Sequence, residues 1–237
     1  MNVVSVMAHQ DDELRCLGTM LKMRARGDSL HFICLTGGEM GMAHRPEMPL
    51  AEAAAVRDRE IRELTGAIGA TYQCLGYEDE FLYDTKEVRL ALIEALRKTR
   101  ADVIFTHNDM DYNLDHMTVS RLVRQCAMQL SFPMIKTETP NTDHAPAIFQ
   151  CEPSGGFDFT PTVWVDISRF QEEKERLAEM HRSQDEAFIS LFGPDNGIRA
   201  WMRKTSVFRG SQVGVEHAEA FRAMQTRDFV RGEAILP

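Results

Sequence analysis

The chain has 237 residues, 43% of them hydrophobic and 27% charged, with a formal net charge of −9. That length can bury a sizeable core, and the negative balance argues against a nucleic-acid or anionic-membrane partner. No apolar run reaches the roughly 18 residues of a membrane span and no basic, cleavable leader opens the chain, so a cytoplasmic protein acting on a small molecule is expected.

The first predicted element is Val3-Val4-Ser5-Val6-Met7, a short apolar run that fits a strand buried on both faces. It delivers Ala8-His9-Gln10-Asp11-Asp12-Glu13, one imidazole and three carboxylates, to the strand end where open α/β sheets bind ligands. Asp12 to Gly27 reads as a helix, with Leu14, Leu17, Leu21 and Ala25 at helical spacing. Leu30 to Leu35 is a second buried strand, ending in Thr36-Gly37-Gly38-Glu39-Met40-Gly41, and a proline-marked loop covers residues 42–50. A helix follows from Leu50 to Ile68, then a short strand from Tyr72 to Leu75 and an acidic loop from Gly76 to Tyr83. Asp84-x-x-Glu87 has the pattern of a capping box opening a helix that runs to Lys98.

Asp102 to Thr106 is another buried strand, followed by a polar loop to Asp115 and a helix to about Leu130. Residues 131–146, with three prolines, read as an exposed excursion. Ala147–Cys151 and Thr162–Asp166 are late strands, and Ser168-x-x-Gln171 is placed to cap a further helix. Strand and helix thus alternate, which predicts a Rossmann-like α/β fold: a mostly parallel sheet with helices on both faces, in a single domain over residues 1–237. The five cysteines are scattered and include no Cys-x-x-Cys, as expected of buried thiols in a reducing compartment.

No Gly-x-Gly pair, phosphate-binding loop, His-Glu-x-x-His or Gly-x-Ser-x-Gly occurs, which disfavours a nucleotide binder. His9 and Asp12 are spaced to hold a divalent metal, and His116 follows a strand that opens on the same sheet edge. Two imidazoles, a carboxylate and a water would make the open four-coordinate arrangement of catalytic zinc, with Asp115 orienting an imidazole from behind. Spacing alone is weak, because about one His-x-x-acid pair is expected by chance in such a composition. Solvated loop carboxylates beside a stray histidine remain the alternative. Position at two strand ends is what favours a site.

These residues resemble the zinc-dependent N-deacetylases of the PIG-L/LmbE type, which act on N-acetylglucosaminyl phosphatidylinositol, thiol-sugar precursors and chitobiose. The likeness includes His9-x-Asp11-Asp12-Glu13, the 36–41 loop, Arg57-x-x-Glu60 and Asp115-His116. It continues through Lys174, Ala178, His181, Ser183 and Gln184 to Arg209-Gly210 and Ala218-Glu219-Ala220-Phe221, and so covers most of the chain.

The resemblance implies one Zn2+ per chain on His9, Asp12 and His116, with Asp11 as general base and Arg57 on substrate polar groups. It implies a substrate in the class of N-acylated amino sugars or glycoconjugates. Tyr112 and Trp164 are candidates to stack on a sugar, with an ordinary buried aromatic the alternative for Trp164. Gln10 stands where the family carries proline. Asn113 stands where the family carries a catalytic histidine, so Asn113 itself, His181 or His107 would have to fill that role. The rival reading is a non-catalytic metal- or sugar-binding regulatory protein on the same scaffold. Assembly into a homo-oligomer stays open, and specificity is expected from loops 39–50, 76–84 and 131–160.

Overall fold

The computed structural model describes residues 1–225 and Leu236. Its strands are β1 (Asn2–Met7), β2 (Ser29–Thr36), β3 (Thr71–Tyr77), β4 (Val103–Thr106), β5 (Ala147–Cys151), β6 (Val163–Asp166) and β7 (Ala218–Ala223). They form one sheet in the order β3-β2-β1-β4-β5-β7-β6. The first five run parallel, as the alternating pattern predicts, while β7 lies antiparallel between β5 and β6.

Alternation along the strands feeds two cores. Val3, Met7, Phe32 and Phe105 face α1 (Leu17–Ala25), α5 (Gln171–Ala178) and α7 (Ile198–Val213). Val4, Val6, Ile33 and Ile104 face α3 (Lys86–Thr99) and α4 (Leu114–Gln129). α2 (Leu50–Ala67) adds Leu64 to the first face, and α6 (Arg182–Phe192) follows α5. β1, β2, β4 and β5 are therefore apolar on both sides, the signature of a parallel sheet covered by helices.

Several local expectations give way to tertiary contacts. The predicted 12–27 helix is split into a 3-10 turn at Asp12–Arg15 and α1, with Cys16 between them out of helical geometry. α1 therefore begins inside the protein, and its first free N–H groups need a partner. Glu219 of β7 supplies it, accepting from Gly18 N at 2.9 Å and Thr19 N at 2.7 Å, with Lys174 Nζ 2.7 Å from the same carboxylate. A Cβ at Gly18 would lie 2.9 Å from that Glu219 carboxylate, so the contact requires glycine.

The cap of α3 is Thr85, whose Oγ1 accepts from Val88 N at 3.3 Å, while Asp84 pairs with Arg89 instead. Ser168 does not cap α5: its hydroxyl bonds Asp166 at 2.6 Å, and the chain passes through a 3-10 turn before Gln171. The 131–146 excursion is largely exposed but anchored. Arg97, 2% exposed, donates to the carbonyls of Leu130 at 3.1 Å, Ile135 at 2.9 Å and Phe132 at 3.0 Å.

Candidate functional site

At the carboxyl edge of β1 the chain turns through Asp11, a non-glycine residue at φ 124°. Such a backbone costs about 1–3 kcal/mol and persists only where its surroundings hold it. Here Glu13 Oε2 accepts the Asp11 N–H at 2.9 Å, and Glu13 Oε1 lies 2.7 Å from His181 Nε2. Arg57, from α2, donates to the Asp11 carboxylate at 2.6 Å, to Gly38 O at 3.0 Å and to Gln10 O. The turn presents His9, Asp11 and Asp12 together because backbone, carboxylate and guanidinium all fix it.

His116, in the first turn of α4, comes to meet them. His9 Nδ1 is 3.2 Å from Asp12 Oδ2, His116 Nε2 is 3.2 Å from His9 Nδ1, and His116 Nε2 is 3.4 Å from Asp12 Oδ1. A tetrahedral ion with bonds of about 2.0–2.1 Å has ligand–ligand edges of about 3.3 Å, so the three side chains fit such an ion. Each imidazole has a carboxylate behind it, Asp79 Oδ1 at 2.7 Å from His9 Nε2 and Asp111 Oδ1 at 3.1 Å from His116 Nδ1. That arrangement fixes ring orientation and raises ligand basicity.

The local field favours positive charge. Burial opposes charging His9, but Asp115, Asp12 and Asp79 outweigh it and raise its pKa. Burial likewise opposes charging His116, and Asp12 and Asp111 raise it. Asp12 is held well below the carboxylate range despite its burial, chiefly by His116 and His107. The same carboxylates would attract a cation.

The triad opens into a cleft of about 180 Å³. Asp11, Arg57, Glu80 and Asn113 give it polar walls, and Leu14, Met40, Phe188, Ile198 and Trp201 apolar ones. Tyr112 stands at the rim, 73% exposed, its ring edge-on to His116 at 5.6 Å. Asn113 is the N-cap of α4: its Oδ1 accepts from Asp115 N at 2.7 Å and His116 N at 3.3 Å, while Nδ2 donates to Glu80 Oε1 at 3.0 Å. Trp164 lies elsewhere, bonded to Gln212 at 3.0 Å.

His181 does not reach the cleft. It is wholly buried behind Glu13 and acts on Asp11 through that carboxylate. His107 is also buried. Its Nε2 accepts from Ala8 N at 2.9 Å, its ring stacks on His116 at 3.9 Å, and burial together with the His116 charge pushes its pKa down to about 4.

Three features escaped the linear reading. Within the largely exposed acidic loop Asp79 is not solvated: its carboxylate is 2% exposed and takes Met40 N at 2.8 Å besides facing His9. Its position beside a strand end was the available signal. Arg15 lines the cleft one 3-10 turn beyond Asp12. Residues 131–146 do not contribute to the cleft, since α4 carries the chain back to the amino edge of the sheet, where Ala147 N bonds Asp102 O at 2.9 Å.

Fold and site together define a Rossmann-like α/β protein with a candidate mononuclear metal centre at the carboxyl edge of its sheet. The chain belongs to the PIG-L family: residues 4–127, more than half of it, match the family described as GlcNAc-PI de-N-acetylase.

It is 35% identical over 85 residues to a probable N-acetyl-α-D-glucosaminyl L-malate deacetylase of Bacillus anthracis, a match spanning 34% of this chain and 38% of that relative's length. The N,N'-diacetylchitobiose deacetylase of Pyrococcus horikoshii superposes with a TM-score of 0.79 at 25% identity, covering 94% of this chain and 83% of the other. A conserved protein of Thermus thermophilus gives 0.79 at 29% identity, covering 97% of each. The 4-carboxy-2-hydroxymuconate hydratase of Pseudomonas putida shares the fold, with a TM-score of 0.82 at 19% identity over 97% of this chain and 99% of that one. The fold therefore hosts more than one chemistry, and the reaction has to be argued from the site.

Proposed function

We propose that this protein is a zinc-dependent amidohydrolase that removes an N-acetyl group from an amino-sugar-like substrate, with its described residues forming one domain. Residues 226–235 and 237 of the expected 1–237 span lie outside the described residues. The observation that carries the reading is a metal-spaced His9–Asp12–His116 triad beside an oriented carboxylate, Asp11, in one cleft. The named activities of the relatives supply the acetyl group and the sugar. When bound by His9, Asp12 and His116, zinc would serve as a Lewis acid that acidifies water and polarises an acyl oxygen.

The chain's own residues do the rest. Asp11 keeps one oxygen on Arg57, and among the described residues nothing donates to its other oxygen. That free oxygen takes the proton of the attacking water and returns it to the departing amine nitrogen. Glu13 and His181 hold the Asp11 backbone so that the carboxylate meets the reacting water without reorganising. Leu14, Ile198 and Trp201 exclude bulk water from one wall, and Glu80 and Tyr112 lie where sugar hydroxyls or a ring face can be met.

A binding protein would need the three ligands but gain nothing from a strained, oriented Asp11, which is why the catalytic reading is preferred. The test is release of free amine and acetate by zinc-loaded protein from N-acetylglucosamine, N,N'-diacetylchitobiose and N-acetylglucosaminyl malate. Turnover of at least one, lost in Asp11→Asn, is expected. Bound zinc without turnover of any would contradict the reading.

A further inference from the structure

Attack of water on an amide moves the C=O π pair onto the acyl oxygen, and the usual largest contribution to rate is a donor fixed near that charge. Apart from the Tyr112 hydroxyl at its exposed rim, the cleft offers few free donors among the described residues. Asn113 spends its oxygen on the α4 cap and its amide on Glu80. Arg57 also keeps a buried Nε with no partner among the described residues, but both of its terminal nitrogens are held on Asp11 and two backbone carbonyls. Gln184 Nε2 donates to Gly41 O at 3.3 Å. His107 and His181 do not line the cleft.

Arg15 spends only two of its donors on the described residues. Its guanidinium carries five donors. Nη1 donates to Glu152 O at 2.8 Å and Nη2 to Ser154 Oγ at 3.0 Å, and the group packs 5.1 Å over the Trp201 ring. Nε is buried without a hydrogen-bond partner among the described residues, 3.9 Å from Asp12 Oδ1. The side chain is 9% exposed yet lines the cleft. This is a permanent cation, anchored on one side, with donors left over beside a ligand of the candidate metal site. Its two anchors and the Trp201 stack leave it little to lose in entropy when it acts.

We infer that Arg15 is a catalytic residue that hydrogen-bonds the acyl oxygen while that oxygen carries the negative charge. The inference rests on the hydrolase reading above. Water oxygen bonds to the acyl carbon, its proton passes to Asp11, and the displaced π pair sits on the acyl oxygen facing Arg15. The C–N bond then breaks, the pair re-forms C=O, and the proton held by Asp11 goes to the amine. Arg15 transfers no proton at any stage. The difference from a purely structural arginine is that its contribution appears at the transition state.

The experiment compares full-length, zinc-loaded wild type with Arg15→Gln and Arg15→Lys. Arg15→Gln is expected to lower kcat by about 10²–10³. KM should stay within a few-fold and zinc stoichiometry should not change. Arg15→Lys, which keeps the charge without the fork, should recover part of kcat and covers the case in which the Gln variant misfolds. In calorimetry, a tetrahedral methylphosphonamide of glucosamine should lose affinity in parallel with kcat, whereas glucosamine should not.

Unchanged kcat or unchanged phosphonamide affinity would overturn the assignment and leave the hydrolase reading standing. Loss of zinc in step with kcat would also overturn it, since Arg15 would then be holding Asp12. Absence of turnover by the wild type would overturn both.

Discussion

Arg57 and Arg97 are each 2% exposed, and they lie toward opposite ends of the same sheet. At the amino edge, Arg97 is surrounded by neutral acceptors: carbonyls of Leu130, Phe132 and Ile135, and Thr137 Oγ1 at 2.6 Å. Its donors are spent on tying residues 129–139 to α3. At the carboxyl edge, Arg57 holds a carboxylate that opens into a cleft, on a residue whose backbone is strained. Buried charge alone does not mark a functional site. What marks it is whether the partners are closed backbone or a group with a face left for a ligand.

That contrast can be broken by substitution at either end. Asp11→Asn should lower amine release by about 10²–10⁴-fold, checked by steady-state kinetics, with the thermal unfolding midpoint little changed. Arg97→Met should do the reverse. Stripping several buried carbonyls of their donor should cost about 3 kcal/mol in urea unfolding, with kcat per folded molecule unaffected. If Arg97→Met slowed turnover of the folded fraction, the division between the two edges would fail.

A smaller effect sharpens the carboxyl edge itself. Asp79→Asn removes the carboxylate facing His9 Nε2 at 2.7 Å, and zinc affinity by competition with a chelator should fall about 10–100-fold. An unchanged affinity would mean that Asp79 serves only the Met40 loop.

The smallest effect is remote from both edges. Burial would raise the Glu175 carboxyl, but bonds from Arg203, Gln171 and Arg199 outweigh it and hold the pKa at about 2, below its ordinary 4.5. The folded state thus prefers the ionised form. This contribution is complete above pH 4.5 and is lost as pH falls toward 2. The stability gap between wild type and Glu175→Gln should therefore narrow over that window, and a constant gap would contradict it.

Much of this organisation was legible in the chain. The apolar runs at β1, β2 and β4 were long enough, and bounded sharply enough, to place His9, Asp12 and His116 on one edge. Asp79 had only its place after a strand to mark it, because Glu78-Asp79-Glu80 has the composition of a solvated loop and β3's pairing on β2 is what brings it over His9. β7 was hidden for a different reason. Ala218-Glu219-Ala220 has little intrinsic strand preference, and its place between β5 and β6 is decided by tertiary pairing and by Glu219 capping α1. Arg15 carried no signal of its own, since nothing local announces Trp201 or Ser154 as its neighbours.

The account stands on the metal centre, so the most direct measurement is elemental analysis of purified wild type, His9→Ala and His116→Ala after equilibration with zinc and removal of excess. The account predicts about one zinc per wild-type chain and loss of that zinc in both variants, with each variant still folded by circular dichroism. A wild type that retains no stoichiometric metal, or variants that keep it, would contradict the account.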